Sequence, residues 1–527
     1  MTTDEAAWAL ERLETGIPGF DQVCGGGLPK NRTTMVAGTA GSGKTVMAMQ
    51  FLVAGVREFD ESGVFVTFEE APDDLVENVR SFGWKMQDLI DRKKVAVVDA
   101  TPEPGEVNVE IGSFDLSALM ARLERAVKEV GAKRVILDAV GALFPQFTDA
   151  NIVRRELHRI AVGLRRLEVT TLLTMERVNE DATIGRFGVE EFVADNVIIL
   201  RNRLEQERRR RTIEILKLRG AVHQKGEYTF TVDSTSGVTI LPLSDVELKQ
   251  GSSAKRVSSG VPTIDKMCGG GMYRDSIILV SGATGTGKTL TVTQYIKAAI
   301  EAGERALLFG SEESRDQLAR NASSWGVDYE KAERDGLLRI TCRYPETMGL
   351  EDHLLLMRRE IDEFRPSRIA IDSLSAFELS GSRRAFREFV LGLTSYIKKL
   401  EITGMITNTT PMLMGGATIT ETHISTITDT IILLRYVELY GEMRRGLTIL
   451  KMRGTQHEKN IREYVIDSKG MHVQAPFRGI HGILTGTPTY MFARERENLS
   501  DMFSLDPSKS RNKAEGGSED GSSDREG

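Results

Sequence analysis

The chain has 527 residues, of which 40% are hydrophobic and 28% charged, proportions typical of globular proteins rather than of disordered or fibrous ones. A formal net charge of −7 gives no general attraction to nucleic acid. The chain has only three cysteines and no apolar run long enough to span a bilayer, which excludes a disulfide scaffold or a membrane protein and predicts a cytoplasmic one.

The first informative element is a strand predicted over 34–37, which leads into the octet G-T-A-G-S-G-K-T at residues 38–45. The octet matches the G-x-x-x-x-G-K-[ST] pattern of a P-loop. In such a loop the backbone N–H groups surround the phosphates, the lysine reaches the β- and γ-phosphates, and the threonine hydroxyl holds Mg²⁺. Nucleoside triphosphate contacts are therefore expected from Gly41, Ser42, Gly43, Lys44, Thr45 and Val46, with Thr45 also a metal ligand.

The next elements alternate between strands and helices. Short apolar runs predict buried strands over 64–68, 95–98 and 135–137, and longer amphipathic patterns predict helices over 116–130 and 153–167. This alternation predicts an α/β fold with a mostly parallel sheet covered by helices.

Acidic residues end two of these strands. Glu69 and Glu70 follow the first, where a carboxylate could act as general base toward the γ-phosphate, although a solvated acidic loop is the simpler alternative. Asp138 ends the third strand as a Walker B aspartate does, and is predicted to hold Mg²⁺.

The second half of the chain repeats the first. A second octet, G-A-T-G-T-G-K-T at 282–289, follows a predicted strand, and its lysine lies 244 residues after the first (288 − 44 = 244). The same reasoning predicts nucleotide contacts from Thr284, Gly285, Thr286, Gly287, Lys288 and Thr289. It also predicts Glu312 and Glu313 as candidate bases, with Thr289, Glu312 and Asp372 as metal ligands.

A period this long indicates two tandem domains rather than a solenoid. The predicted boundaries are 1–243 for the first domain, 244–259 for a linker, 260–490 for the second domain and 491–527 for a largely disordered tail.

From about residue 10 to 490 the chain resembles the KaiC family of circadian clock ATPases and autokinases. The resemblance rests on both P-loops, both Glu doublets, both Walker B strands and the two K-x-R-G-x-x-H segments at 217–223 and 451–457, each of which follows a predicted edge strand. It implies two tandem RecA-like P-loop NTPase domains in a homohexameric double ring, with ATP and Mg²⁺ at each subunit interface. It also implies nucleotide contacts from Ser81, Lys217, Leu218, Arg219, His223, Trp325, Arg445, Lys451, Met452, Arg453 and His457.

The two copies differ where the family is phosphorylated. When Asp195 is aligned with Asp429, the adjacent Ser425 and Thr426 of the second copy correspond to residues 191 and 192, a Glu and a Phe. The resemblance implies that Ser425 and Thr426 accept phosphate, with Thr420 as a further site. It therefore predicts a hydrolytic first domain and a self-phosphorylating second one. The alternative is a Thr-rich surface loop that leads into a strand over 431–434.

The resemblance also bears on partners. The stretch 112–117 keeps the family pattern around the surface that docks KaiB, so a KaiB-like partner is predicted. The stretch 490–505 departs from the form that receives KaiA, so dependence on KaiA is not predicted.

Three other functions remain open from the sequence. The run Arg208–Arg211 is compatible with a DNA-dependent motor of the RecA or helicase type, although neighbouring acidic residues dilute its charge. A KaiC-family ATPase without a clock role and a non-catalytic nucleotide-gated scaffold are the others. ATPase assays with and without single-stranded DNA separate the first from the rest.

Overall fold

A computed structural model describes residues 10–101, 116–143, 150–180, 193–205, 207–242, 253–410, 424–483 and 489–490. The chain divides into two compact units, and each unit contains one nine-stranded sheet. The first unit comprises the described residues of Met1–Gln250, Tyr344–Glu363 and Phe377–Tyr396, and the second those of Gly251–Arg343, Phe364–Ala376 and Ile397–Gly527.

The first half of the chain is built from eleven strands and six helices among its described residues. The strands are β1 (Arg12–Leu13), β2 (Leu28–Pro29), β3 (Thr33–Gly38), β4 (Gly63–Thr67), β5 (Val95–Asp99), β6 (Arg134–Asp138), β7 (Thr170–Glu176), β8 (Asn196–Glu205), β9 (Arg208–Leu218), β10 (Glu227–Asp233) and β11 (Gly237–Ile240). The helices are α1 (Phe20–Cys24), α2 (Lys44–Phe59), α3 (Pro72–Asn78), α4 (Met86–Asp91), α5 (Leu116–Val130) and α6 (Ala150–Arg166).

The first large sheet has the order β11-β10-β9-β8-β3-β7-β6-β4-β5. The six strands from β8 to β5 run parallel, and β9 to β11 add an antiparallel extension. Each residue of β3, β4 and β6 is buried, as expected for strands covered by helices on both faces. The predicted α/β architecture is therefore confirmed.

The second half repeats this arrangement. Its strands are β12 (Arg256–Val257), β13 (Met272–Tyr273), β14 (Ile277–Gly282), β15 (Ala306–Gly310), β16 (Leu338–Cys342), β17 (Arg368–Asp372), β18 (Thr403–Thr409), β19 (Thr430–Leu439), β20 (Glu442–Met452), β21 (Arg462–Asp467), β22 (Gly470–Pro476), β23 (Ile480–His481) and β24 (Thr489–Tyr490). Its helices are α7 (Pro262–Met267), α8 (Lys288–Glu301), α9 (Arg315–Ser324), α10 (Tyr329–Arg334), α11 (Leu350–Phe364) and α12 (Arg383–Lys399). The sheet order is β16-β15-β17-β18-β14-β19-β20-β21-β22, with β14 at its centre. No helix in the described part of the chain is long and apolar enough to cross a membrane.

A short arginine clasp opens each repeat. Arg12 of β1 donates hydrogen bonds to the carbonyls of Cys24 and Gly27, at 2.7 and 2.9 Å. Arg256 of β12 makes the same two bonds to the Cys-Gly-Gly-Gly turn of the second repeat. At Gly27, φ is +101° and a Cβ would lie 2.3 Å from a backbone oxygen, which explains the glycine there. Because β12 lies within the predicted linker, the second repeat begins before residue 260.

A buried arginine anchors the start of the Walker B strand β6. The guanidinium of Arg134 is fully buried, pairs with the carboxylate of Glu61 at 2.7 Å, and donates to the carbonyls of Glu14, Thr15 and Phe51. It thereby joins β6 to helix α2, which follows the P-loop, and to the N-terminal segment. Arg368 repeats the pairing in the second half, with Glu304 at 2.6 Å.

Replacing Arg134 with Ala should strongly destabilise the first half. The change leaves a carboxylate and three carbonyls without their buried partner, and breaking a buried ion pair costs about 3–5 kcal/mol. Urea unfolding followed by circular dichroism should show a lower midpoint for the first transition. Arg92→Ala is the control, since its pair with Asp88 is on the surface and should contribute less than about 1 kcal/mol. Equal midpoints for the two variants would contradict this role of Arg134.

Candidate nucleotide sites

Each P-loop lies between a buried central strand and the helix that follows it. β3 ends at Gly38 and α2 begins at Lys44, while β14 ends at Gly282 and α8 begins at Lys288. A Cβ on Gly38 would lie 2.4 Å from the Ser42 hydroxyl, so only glycine fits where the loop turns back. Gly282 is crowded in the same way by the second loop.

Both P-loop lysines are held within their loops. The Nζ of Lys44 donates to the Thr39 carbonyl at 2.9 Å, and that of Lys288 donates to the Ala283 carbonyl at 3.1 Å. Burial lowers the pKa of both amines, against the opposing effect of nearby carboxylates. A bound triphosphate would supply the negative charge that a buried ammonium group requires.

The residues predicted to hold Mg²⁺ come together in both halves. The Thr45 hydroxyl donates to Asp138 Oδ2 at 2.9 Å, and the Thr174 hydroxyl donates to the other carboxylate oxygen. In the second half, Asp372 accepts bonds from the hydroxyls of Thr289 and Thr407. Burial raises the pKa of both aspartates. Paired hydroxyl and carboxylate oxygens are hard ligands of the type Mg²⁺ prefers, so the residues fit this ion.

The two glutamates of each doublet have different surroundings. Glu69 interacts with the charge of Lys44, and burial together with the charges of Glu176 and Asp138 raises its pKa. Glu70 instead accepts a hydrogen bond from Asn78 at 3.2 Å.

The second doublet repeats this division. Glu312 interacts with Lys288 and accepts a bond from the Ser373 hydroxyl at 2.5 Å, while Glu313 accepts one from Asn321 at 2.8 Å. Burial and then the charge of Asp372 raise the pKa of Glu313. The first glutamate of each doublet therefore faces the P-loop lysine, and the second is tied to the following helix.

Three further predicted contact residues lie on elements outside the P-loops. Ser81 is exposed in a short turn after α3, and Trp325 is half-buried at the end of α9. Arg445 lies opposite Tyr436 in the β19–β20 pair, and the Tyr436 hydroxyl approaches P-loop residue Gly285. Arg445 is thus linked to the second P-loop through the Tyr436 ring.

The K-x-R-G-x-x-H segments lie where the parallel strands of each sheet begin, whereas the P-loops lie where those strands end. The sequence predicted that they follow edge strands, which is wrong. Lys217 and Leu218 end β9, Lys451 and Met452 end β20, and both strands are interior. The side chains of Leu218 and Met452 are buried in the core, so any nucleotide contact from these residues would use their main chain.

The candidate phosphate acceptors lie beside the second of these segments. Ser425 is half-buried and Thr426 is exposed, in a short turn just before β19. Lys451 Nζ donates to the Ser425 carbonyl at 2.8 Å, and Arg453 donates to the Thr426 carbonyl at 2.8 Å. The predicted acceptor Thr420 and the compared residues 191 and 192 lie outside the described residues.

Strand register separates these acceptors from the P-loop of the same chain. β14 and β19 are parallel, with Ile278 opposite Thr430 and Gly282 opposite Leu434. The P-loop therefore leaves the carboxyl edge of the sheet, whereas Ser425 and Thr426 enter at the amino edge. Six-residue β14 spans about 16 Å at about 3.3 Å per residue, far more than the roughly 3 Å needed between reacting atoms.

The arginine run lies within the sheet rather than on a free basic surface. Residues 208–211 begin β9, where Arg209 donates to the Asn202 carbonyl at 2.8 Å and Arg210 lies 3.7 Å from Glu205. Because side chains alternate across a strand, the run does not present one continuous basic face.

Sequence reasoning missed several residues of the two sites. Thr174 and Thr407 contact the Walker B aspartates, and Glu176 interacts with both Lys44 and Glu69. The Tyr464 hydroxyl donates to the carbonyl of P-loop residue Thr286. Extending the repeat alignment to β7 and β18 could have identified the two threonines. Nothing local in the sequence marks Tyr464, since it lies 178 residues from its partner.

Comparison with known proteins agrees with this geometry. The sequence model of a family described as "ATPase: KaiC" matches residues 13–245 and again 257–477. A protein of Synechocystis sp. named circadian clock protein KaiC3 is 56% identical over 500 residues, covering 95% of this chain and 99% of the relative. The circadian clock oscillator protein KaiC of Thermostichus vulcanus is 55% identical over 498 residues, covering 94% and 96%. That of Parasynechococcus marenigrum is 52% identical over 491 residues, covering 93% and 96%. With two P-loop sites in two repeated α/β sheets, the chain belongs to the KaiC family of ATPases.

Proposed function

We propose that this KaiC-family ATPase hydrolyses ATP at its first site and transfers phosphate from ATP to its own Ser425 and Thr426 at its second. The transfer takes place between subunits. The single observation that carries the proposal is the separation of P-loop and acceptors across one sheet. Because β14 lies between them, a subunit cannot deliver its own γ-phosphate to its own acceptors.

A ring of subunits would place the P-loop of one chain next to the acceptors of its neighbour. If the amino edge of one second-half sheet packs against the P-loop of its neighbour, Ser425, Thr426, Lys451 and Arg453 reach that neighbour's nucleotide together. The lysine and arginine would then stabilise negative charge on the γ-phosphate, as trans-acting cations do in related NTPases. A homohexamer is the ring we propose, with a first domain at 1–243, a linker that ends before strand β12, a second domain that extends to residue 490, and a tail at 491–527.

The chain's own residues supply the chemistry at each site. The P-loop lysine binds the phosphates, and Glu69 or Glu312 accepts the proton of the attacking water or hydroxyl. When bound, Mg²⁺ would neutralise phosphate charge, held by Thr45 and Asp138 in the first half and by Thr289, Asp372 and Glu312 in the second.

Phosphate on Ser425 and Thr426 would change the charge of the amino edge. Each phosphate adds about −1.5 to −2 charges beside Lys451 and Arg453. Such a change can shift subunit packing, so we propose that the phosphorylation state records time, with a KaiB-like protein as reader. The relatives named circadian clock proteins support this role.

The two P-loop lysines should each control one nucleotide. Lys44→Ala and Lys288→Ala should each lower the binding of a fluorescent ATP analogue from two to one per chain, because each removes the cation of one loop. Lys94→Ala is the control, since it replaces an exposed lysine that pairs with Asp60. Two nucleotides retained by either P-loop variant would contradict the two-site assignment.

Phosphate should pass between subunits in mixed assemblies. A tagged Lys288→Ala chain with intact acceptors is co-expressed with an untagged Ser425→Ala/Thr426→Ala chain that has an intact P-loop. After incubation with Mg²⁺ and ATP, mass spectrometry should find phosphate on the tagged chain, which cannot phosphorylate itself. The tagged chain alone should stay unmodified. Transfer between subunits would be contradicted if wild-type assemblies carry phosphate while the tagged chain in mixed assemblies carries none.

A further inference from the structure

The strand that neighbours the P-loop strand ends in a different residue in each nucleotide site. In the first sheet, Gly38 at the mouth of the P-loop lies opposite Glu176, the last residue of β7. In the second sheet, Gly282 lies opposite Thr409, the last residue of β18. The next backbone N–H also donates to this glycine carbonyl in both halves, at 3.0 Å from Arg177 and 3.2 Å from Thr410. Glu176 and Thr409 are therefore structural equivalents.

Glu176 reaches the part of the first site where the γ-phosphate would lie. Its exposed side chain lines one open cavity together with P-loop residues Thr39 and Ala40 and with Glu69. It exerts the largest charge effect on Lys44 and on Glu69 among the residues around them. In the second site, the carboxylates that affect the charge of Lys288 among the described residues are those of Asp372 and Glu312. The first site thus has two further carboxylates near its P-loop lysine: that of Glu176, and that of Glu180, which accepts a hydrogen bond from the Thr39 hydroxyl at 2.6 Å.

We propose that Glu176, together with Glu69, orients the hydrolytic water of the first site. Two carboxylates on one side of the cavity can accept both hydrogens of a water molecule and turn its lone pair toward the γ-phosphorus. The water oxygen then bonds to phosphorus, and the bond to the β,γ-bridging oxygen breaks with its electron pair leaving on ADP. Glu69 takes the proton, and inorganic phosphate is released.

The hydroxyl of Thr409 cannot take this role in the second site. It is uncharged and leaves Glu312 as the only carboxylate of the pair, so water is held less firmly. A protein hydroxyl delivered by a neighbouring subunit can then compete for the γ-phosphate. The residue at this strand end thereby influences whether the γ-phosphate of each site is transferred to water or to a protein hydroxyl. This inference rests on the proposed function.

The test is made in the full chain with the second site silenced by Lys288→Ala, so that ADP reports the first site. Adding Glu176→Gln or Glu176→Thr should lower kcat for ADP release about tenfold to hundredfold. KM for ATP and the affinity for a fluorescent ATP analogue should stay equal or improve, because a negative charge near the triphosphate is removed. Glu77→Gln is the matched control, with the same loss of charge on the exposed surface of α3.

Two outcomes are distinguishable. If the Lys288→Ala parent releases no ADP above a Lys44→Ala/Lys288→Ala blank, the proposed hydrolysis at the first site is wrong. If the parent turns over and both Glu176 variants keep kcat within twofold, or raise KM at constant kcat, the role of Glu176 is overturned.

The reciprocal change tests the difference between the sites. Thr409→Glu in the otherwise wild-type chain should raise ADP release and lower the phosphate found on Ser425 and Thr426. An unchanged ratio of ADP to phosphoprotein would contradict the assignment of this strand end as a determinant of the acceptor.

Discussion

The parallel register of the central strands is the constraint on which the rest of the structure depends. Since β14 and β19 run in the same direction, the residues directly after β14 lie at one edge of the sheet and the residues directly before β19 lie at the opposite edge. The P-loop is at the first edge, and the acceptors with Lys451 and Arg453 are at the second. Under the proposed function, a complete phosphoryl-transfer site requires two copies of the chain, so assembly becomes a condition for the chemistry.

The same register is compatible with the two reactions that we propose for one fold. Strand ends at the carboxyl edge hold the Walker B aspartate and the Glu doublet in both halves, which keeps nucleotide binding common to both. One difference between the halves is at equivalent strand ends, where the first half has Glu176 and the second has Thr409. The proposed difference in function lies at this position, whereas the buried Arg134 and Arg368 maintain the scaffold.

Much of the fold and of each site could be predicted because the signals are local or repeated. The P-loop octets, the Walker B strands and helix α5, predicted over 116–130 and found at Leu116–Val130, all follow from short patterns. The clasp strand β12 was assigned to the linker because two residues carry no periodicity. The interior place of β9 and β20 depends on strand order, which no single segment encodes. Tyr464 and Glu176 act through contacts between distant segments, so only the folded chain identifies them.

The most direct test of the account is a time course of the wild-type protein with Mg²⁺ and ATP and no partner, followed by mass spectrometry and by ADP measurement. We expect ADP to accumulate while phosphate appears on Ser425 and Thr426, and we expect no phosphate at these positions in Ser425→Ala/Thr426→Ala. ADP accumulation without phosphate on the protein would contradict the account and leave an ATPase of this family without autokinase activity.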